Sequence, residues 1–236
     1  MSLNEASRRR LGRRAAIGRV RHARVIDLTD VDVDSEEAAI DVPPGFREAV
    51  RADFAAMAKA KKARYPSLAG LIDILMLPGT WAVLLFRMSV ALHRAGLRPF
   101  SRILYFANSV LFSVDMIPTA VVGPGLALPH PIGVGMGDVR IGRNVTLMGG
   151  VRLGTGAFGD LSRDGWPTIG DNCFLMDGAK LFGPVVVGHD TVVATNSVVV
   201  RDLPPNVIAM GNPARVVRHR DASPADDAVV VDQQDS

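Results

Sequence analysis

Residues 169–199 read IGDNCFLMDGAKLFGPVVVGHDTVVATNSVV, and an aliphatic side chain returns in them at every sixth position: Ile169, Leu175, Leu181, Val187, Val193 and Val199. A period of six is neither the 3.6 of a helix nor the alternation of an ordinary strand. It is the mark of a hexapeptide β-helix, in which each unit is one short flat strand and a turn. The aliphatic points inward, and stacked coils bury a continuous apolar column. The residue after it is small where the backbone turns a tight corner, as in Ile141-Gly142, Ile169-Gly170 and Val187-Gly188.

Upstream the period continues in two further runs. Met116, Val122, Leu128 and Val134 form one, and Ile141, Leu147 and Leu153 the other. The step from Val134 to Ile141 is one residue too long, so the phase breaks there. Residues 154–167, from Gly154 to Pro167, carry no period at all. A loop of that length leaving a regular solenoid reads as a functional or assembly element.

Residues 45–113 read as a helical module. Phe46, Val50, Phe54 and Met57 fall on one helical face. A second helix covers Trp81 to Leu97 with Gly96 as its stop, and a third runs from Pro99 to about Phe112, with Arg102 and Asn108 on its polar side. The apolar run from Ile74 to Phe86 is shorter than the roughly 20 residues a bilayer needs, and Pro78-Gly79 break it. It reads as a helical hairpin or core helix, so no membrane partner is expected.

The flanks are different. Residues 1–24 hold eight arginines and residues 27–41 hold seven acids. Such blocks mark residues 1–44 as a disordered charged arm, and the polar residues 219–236 as a disordered tail. Nothing aromatic or structured accompanies the arginines, so no nucleic-acid partner is expected. Of the 236 residues 48% are apolar and 22% charged, and the net charge of +3 implies no strongly charged partner. Cys173 is the only cysteine, and no long apolar stretch follows the basic start. Both point to a reducing, cytoplasmic setting.

From Val114 onward the sequence resembles the serine acetyltransferases and their relatives among hexapeptide-repeat acyltransferases. The resemblance rests on Val114-Asp115-Met116-Ile117-Pro118-Thr119-Ala120, on Gly123 to Gly133 with Leu128-Pro129-His130, on Leu153-Gly154-Thr155-Gly156, on Gly178-Ala179-Lys180, and on Gly211-Asn212-Pro213-Ala214-Arg215-Val216-Val217. It covers residues 46–218, more weakly in the helices. It implies an α+β chain, with an N-terminal α-helical module at 45–113 and a left-handed parallel β-helix acyltransferase domain at 114–218. The implied activity is transfer of an acetyl group from acetyl-CoA to a hydroxyl, with serine as the leading acceptor and cysteine biosynthesis as the setting. No metal is implied.

That chemistry needs a base for the hydroxyl proton and a group that fixes the base's tautomer. His130 is the candidate base, since an imidazole titrates near neutrality. Asp115, fifteen residues earlier, is the candidate orienting carboxylate. The resemblance maps the family's catalytic pair onto these two residues. For the pantetheine arm and phosphates of coenzyme A it points to Gly154, Gly156, Gly178, Ala179, Lys180, Thr195, Asn196, Pro213 and Arg215, with Arg218 as a further cation.

The acceptor side departs from the family pattern. Pro129 stands where the family has an acid before its histidine, and Ile117 where it has another histidine. Tyr65, before Pro66, takes the place of the acid in the helical module. The loop motif is Arg163-Asp164-Gly165-Trp166-Pro167. Arg163 is the candidate for an acceptor carboxylate, because its planar fork suits one. Trp166 is the candidate for a flat apolar wall. A sugar or specialised-metabolite hydroxyl remains an alternative acceptor. A non-catalytic trimeric scaffold is the alternative outside enzymes. A zinc site of the carbonic-anhydrase kind needs three converging histidines, and the repeats hold only His130 and His189. A short β-helix with apolar flanks implies a homotrimer, which the helical module can join into a dimer of trimers.

Overall fold

The computed structural model describes residues 45–62, 66–156 and 165–220. The charged arm, residues 221–236 of the tail and the centre of the aperiodic loop lie outside these residues. His219 and Arg220, placed in the disordered tail by the sequence reading, are instead ordered, His219 ending the last strand and the Arg220 N–H donating to the Asn206 carbonyl at 2.7 Å. Four helices come first: α1 Phe46–Lys61, α2 Leu68–Leu75, α3 Pro78–Arg94 and α4 Arg98–Phe112. Ser67 caps α2 by accepting from the Gly70 N–H at 3.2 Å. Pro78 opens α3, where its fixed φ suits the first helical turn. Gly96, at φ 78°, follows α3 as the sequence predicts, and Ser113, at φ 54°, closes α4. Helices α2 and α3 meet at 80°. No single helix among the described residues is long and apolar enough to cross a membrane.

Five coils of parallel β-helix follow. The first is β1 Asp115–Met116, β2 Val121–Val122 and a bridge at Ala127. The second is β3 Gly135–Met136, β4 Arg140–Ile141 and β5 Thr146–Leu147. The third is β6 Arg152–Gly154, β7 Thr168–Ile169 and β8 Phe174–Leu175. The fourth is β9 Lys180–Phe182, β10 Val186–Val187 and β11 Val192–Val193. The last is β12 Val198–Val199, a bridge at Leu203 and β13 Val207–Gly211, onto which β14 Ala214–His219 folds back antiparallel. The three faces stack in the orders β1-β3-β6-β9-β12, β2-β4-β7-β10 and β5-β8-β11-β13-β14.

The six-residue aliphatics fill the interior. Ile169, Leu175, Leu181, Val187, Val193 and Val199 are all at most 1% exposed. Between the second and third faces the corner carries Asn144, Asn172 or Asp190, each left-handed at φ 55° to 56°. Asn and Asp tolerate that conformation better than other side chains.

The phase break resolves differently from the sequence reading. Val134 is buried, but the ladder pairs Met116 with Met136 and Met136 with Leu153. Leu128 to Met136 is eight residues and Met136 to Ile141 is five. The single extra residue is therefore the sum of one corner that is two longer and one that is one shorter. Pro129 and Pro131 explain the long corner, since neither has an N–H to give a ladder. His130 sits between them.

The helical end is held by an ion pair. Arg87 of α3 donates from Nε to Asp53 Oδ2 at 2.8 Å and from Nη2 to Asp53 Oδ1 at 3.0 Å. The same guanidinium reaches the carbonyls of Val122 and Gly123 at 2.7 and 2.6 Å. Asp53 Oδ1 also accepts from the Gly125 and Leu126 N–H groups at 2.9 and 2.8 Å. Burial pushes the Asp53 carboxyl up from its usual range, and Arg87 with these two N–H groups pulls against that. The pair turns α1: Ala49, Asp53 and Met57 face inward, while Phe46, placed on the apolar face by the sequence reading, is exposed. Helix α4 is turned too. Asn108, expected on the outer polar side, is buried and donates to the Ala82 carbonyl at 3.0 Å, and Ser101 donates to Ser89 at 2.8 Å. Phe100, Ile103, Phe106, Val110 and Leu111 face outward.

Candidate functional site

Fifteen residues separate Asp115 from His130, and the first turn of the β-helix folds that distance back. Gly133 N–H donates to the Ser113 carbonyl and Asp115 N–H to the Val134 carbonyl, both at 2.9 Å. Asp115 then pairs with Gly135 across β1 and β3. The carboxylate thus begins the strand beside the one that leaves the His130 corner. The two side chains are not hydrogen-bonded to each other. The Tyr105 hydroxyl of α4 donates to Asp115 Oδ1 at 2.6 Å. Lys61 Nζ, at the end of α1, lies 3.4 Å from His130 Nε2. Holding its proton against that carboxylate raises the Tyr105 phenol above its ordinary range. Both His130 and Asp115 are exposed.

The corner that carries His130 repeats up the column. Gly150 N–H donates to the Ile132 carbonyl at 2.9 Å, Gly178 N–H to Gly149 at 2.8 Å and Asn196 N–H to Asp177 at 2.9 Å. Gly178, Thr195 and Asn196, expected at the cofactor, therefore share one edge with the expected base. Gly178 and Asn196 are left-handed at φ 70° and 56°, and Thr195 and Asn196 are exposed. Asp177 belongs to this edge as well. A Cβ on Gly149 would stand 3.4 Å from both Asp177 Oδ1 and the His130 carbonyl oxygen. Lys180 bends back to the Gly178 carbonyl at 2.9 Å. Ala179 is fully buried, with its N–H given to Met176 and its carbonyl taken by Arg152, so it builds the corner.

Other expected residues lie elsewhere. Gly154 ends β6 on the opposite edge of the same face, with Gly156 two residues beyond it where the aperiodic loop departs. Pro213 and Arg215 lie in the hairpin of β13 and β14, and Arg215 donates to the Ala214 carbonyl at 3.0 Å. Trp166 packs on the core with its ring against Gly137, whose missing side chain makes room for it. That is the short corner at the far end of β3 from His130. Arg163 and Tyr65 lie outside the described residues.

Two side chains that touch the candidate pair, Lys61 and Tyr105, were not singled out by motif or period. The sole thiol, Cys173, is buried and pushed up to about 12 by that burial, so it is no nucleophile at neutral pH. Among the described residues no three His, Cys, Asp or Glu side chains converge as metal ligands.

No family model matches the chain. It is 32% identical over 168 residues to the serine acetyltransferase of Mycobacterium tuberculosis, covering 70% of this chain and 72% of that one. It is 34% identical over 146 residues to that of Helicobacter pylori, covering 61% and 84%. Among solved structures it is similar to serine acetyltransferase in complex with coenzyme A from Brucella abortus, with a TM-score of 0.66 and 30% identity over 75% of this chain and 70% of that one. The serine complex of the Neisseria gonorrhoeae enzyme gives a TM-score of 0.62 and 30% identity over 72% and 68%. The fold shared with these structures is the left-handed parallel β-helix preceded by helices.

Proposed function

The chain belongs to the serine acetyltransferase family, acyltransferases that use acetyl-CoA, and we propose that it acetylates the hydroxyl of L-serine with His130 as general base and Asp115 as its orienting carboxylate. The observation that carries this reading is the backbone pairing of Ser113–Asp115 with Gly133–Gly135. It brings the start of β1 to the corner where the imidazole stands, on the edge shared with Gly178, Thr195 and Asn196.

In the reaction His130 Nε2 takes the proton of the acceptor hydroxyl as its oxygen attacks the thioester carbonyl. For this the imidazole, which is not bonded to Asp115 in the resting geometry, turns its Nδ1–H to Asp115 Oδ2, while Tyr105 keeps Oδ1. The carboxylate stabilises the imidazolium without taking its proton. As the tetrahedral intermediate collapses, the carbon–sulfur bond breaks and the imidazolium returns the proton to the leaving thiolate. The products are O-acetyl-L-serine and coenzyme A. The exposed Thr195 and Asn196, with the half-buried Gly178 and Lys180 beside them, line the pantetheine arm, and Arg215 and Arg218 are the cations for the phosphates.

The working unit is a homotrimer. His130 and Trp166 lie at opposite edges of one face, so a single chain does not bring Trp166 to the base. Packed around a threefold axis, the loop edge of one protomer meets the His130 edge of the next, and three equivalent sites result. Light scattering on the purified chain tests the assembly. The setting expected for the reaction is the cytoplasm.

The decisive experiment is thiol release from acetyl-CoA with L-serine. His130→Ala is expected to lower turnover at least about 100-fold with the oligomer intact, the size of a lost general base. Unchanged turnover overturns the mechanism. No release from the unaltered protein with L-serine moves the acceptor to another hydroxyl.

A further inference from the structure

Helix α1 lies along the stretch that leads to His130, and the two keep step. Asp53 accepts from Gly125 and Leu126 N–H, the Leu128 N–H donates to Met57 Sδ at 3.2 Å, and Lys61 Nζ lies 3.4 Å from His130 Nε2. Each step takes four residues on the helix and two on the facing chain. Four helical residues rise about 6 Å and two extended ones about 6.6 Å, so Asp53 and Met57 keep step with Leu126 and Leu128, and Lys61 meets the chain where it bends at Pro129 and His130. The register is locked at its far end by the buried Arg87–Asp53 pair. The helix therefore delivers a side chain from its last turn to the base, and the side chain it delivers is a lysine.

Among the described residues no carboxylate pairs with Lys61. An ammonium has donors only, so the contact with His130 uses the Nε2 lone pair. That lone pair is where an acceptor hydroxyl must bind for its proton to be removed. When the hydroxyl takes the lone pair, Lys61 needs another acceptor within reach, and an anionic group on the same small molecule supplies it.

We propose that Lys61 is the specificity residue that holds the carboxylate of a β-hydroxy acid acceptor while its hydroxyl sits on His130 Nε2. The proposal rests on the reading of His130 as the base and names the part of the acceptor that Lys61 recognises. A β-hydroxy acid carries its hydroxyl and carboxylate two carbons apart. With each oxygen about 2.8 Å from its nitrogen, the molecule bridges two nitrogens that are 3.4 Å apart. Arg163 is then not required for the carboxylate.

The test compares L-serine with L-serinamide, which keeps the hydroxyl and amine but loses the negative charge. In Lys61→Gln, kcat/KM for L-serine should fall about 30-fold, as for loss of a charge-assisted hydrogen bond. L-serinamide should change by less than about 3-fold, the KM for acetyl-CoA should hold, and Lys61→Arg should recover much of the L-serine value. An equal fall for both acceptors, or none, overturns the proposal. A second measurement separates it from the serine reading. 3-Hydroxypropionate, a β-hydroxy acid with no amine, is titrated against the full-length protein while the His130 ring signals are followed by NMR. Binding at least about 10-fold tighter to the native chain than to Lys61→Gln supports Lys61 even if L-serine is not acetylated. Equal binding, or no binding to either, overturns the role of Lys61 whatever the acceptor.

Discussion

In the β-helix, each inward side chain has near-copies of itself above and below. Leu175 lies between Leu147 and Val193 in adjacent coils, and all three are fully buried. The helical end meets the first coil by other means. There a guanidinium and a carboxylate, 34 residues apart, sit among four backbone groups of residues 122–126. The column gains a little from every coil, so its stability is spread along its length. The junction gathers its strength in one buried pair, and that pair also sets how α1 lies against the base. Loss of a contact should therefore be graded in the column and abrupt at the junction.

The largest effect is expected from Arg87→Ala. It strands a buried carboxylate and frees two carbonyls, at a cost of about 4 kcal/mol. Denaturation in urea measures it. The paired change Arg87→Met with Asp53→Leu should recover much of that loss, because packed apolar groups replace a buried ion pair at little cost. A loss below about 1 kcal/mol for Arg87→Ala would break the contrast and place the junction's strength in the apolar contacts of Met57 and Phe86.

Leu175→Ala comes next, at about 3 kcal/mol for a cavity in a packed aliphatic column. Hydrogen exchange sharpens the comparison. Amides of β5, β8 and β11 should lose protection together, while α1 and α3 keep theirs. Equal loss in the helices would mean that column and cap unfold as one unit.

The same contrast explains what the sequence disclosed. The repeat positions are local signals six residues apart, and the left-handed Asn144, Asn172 and Asp190 follow the aliphatic by three residues each time. These can be read without knowing any distant contact. The orientation of α1 cannot. Counting apolar residues favours a face through Phe46, whereas the observed face runs through Asp53 because its partner Arg87 waits on another helix. Asn108 is misread for a related reason, since the carbonyl it satisfies belongs to α3. In the candidate site, motif spacing singled out Asp115 and His130, whose backbones the fold brings to one corner. Lys61 and Tyr105 were not singled out, because each reaches the pair only through the docking of its helix. The phase break near Val134 was visible, but its division into a long corner at His130 and a short one at Gly137 depends on which residues pair.

The smallest of these effects concerns Tyr105, which ties α4 to the pair by a single bond to Asp115 Oδ1. Its phenol titrates above the usual value of about 10. A pKa raised by folding means that the bond contributes in full below that usual value and is lost as pH rises through the folded one. Ultraviolet titration should show a tyrosine ionising late, and in Asp115→Asn that signal should move down, because no carboxylate then holds the proton. Tyr105→Phe should lower kcat about 3- to 10-fold, a hydrogen bond's worth discounted for partial exposure, with the KM for acetyl-CoA unchanged. A purely packing role predicts neither the shift in the Asp115 variant nor a selective fall in kcat. If the phenol titrates alike with and without the carboxylate, α4 supports the column without orienting Asp115, and the catalytic edge is set by α1 alone.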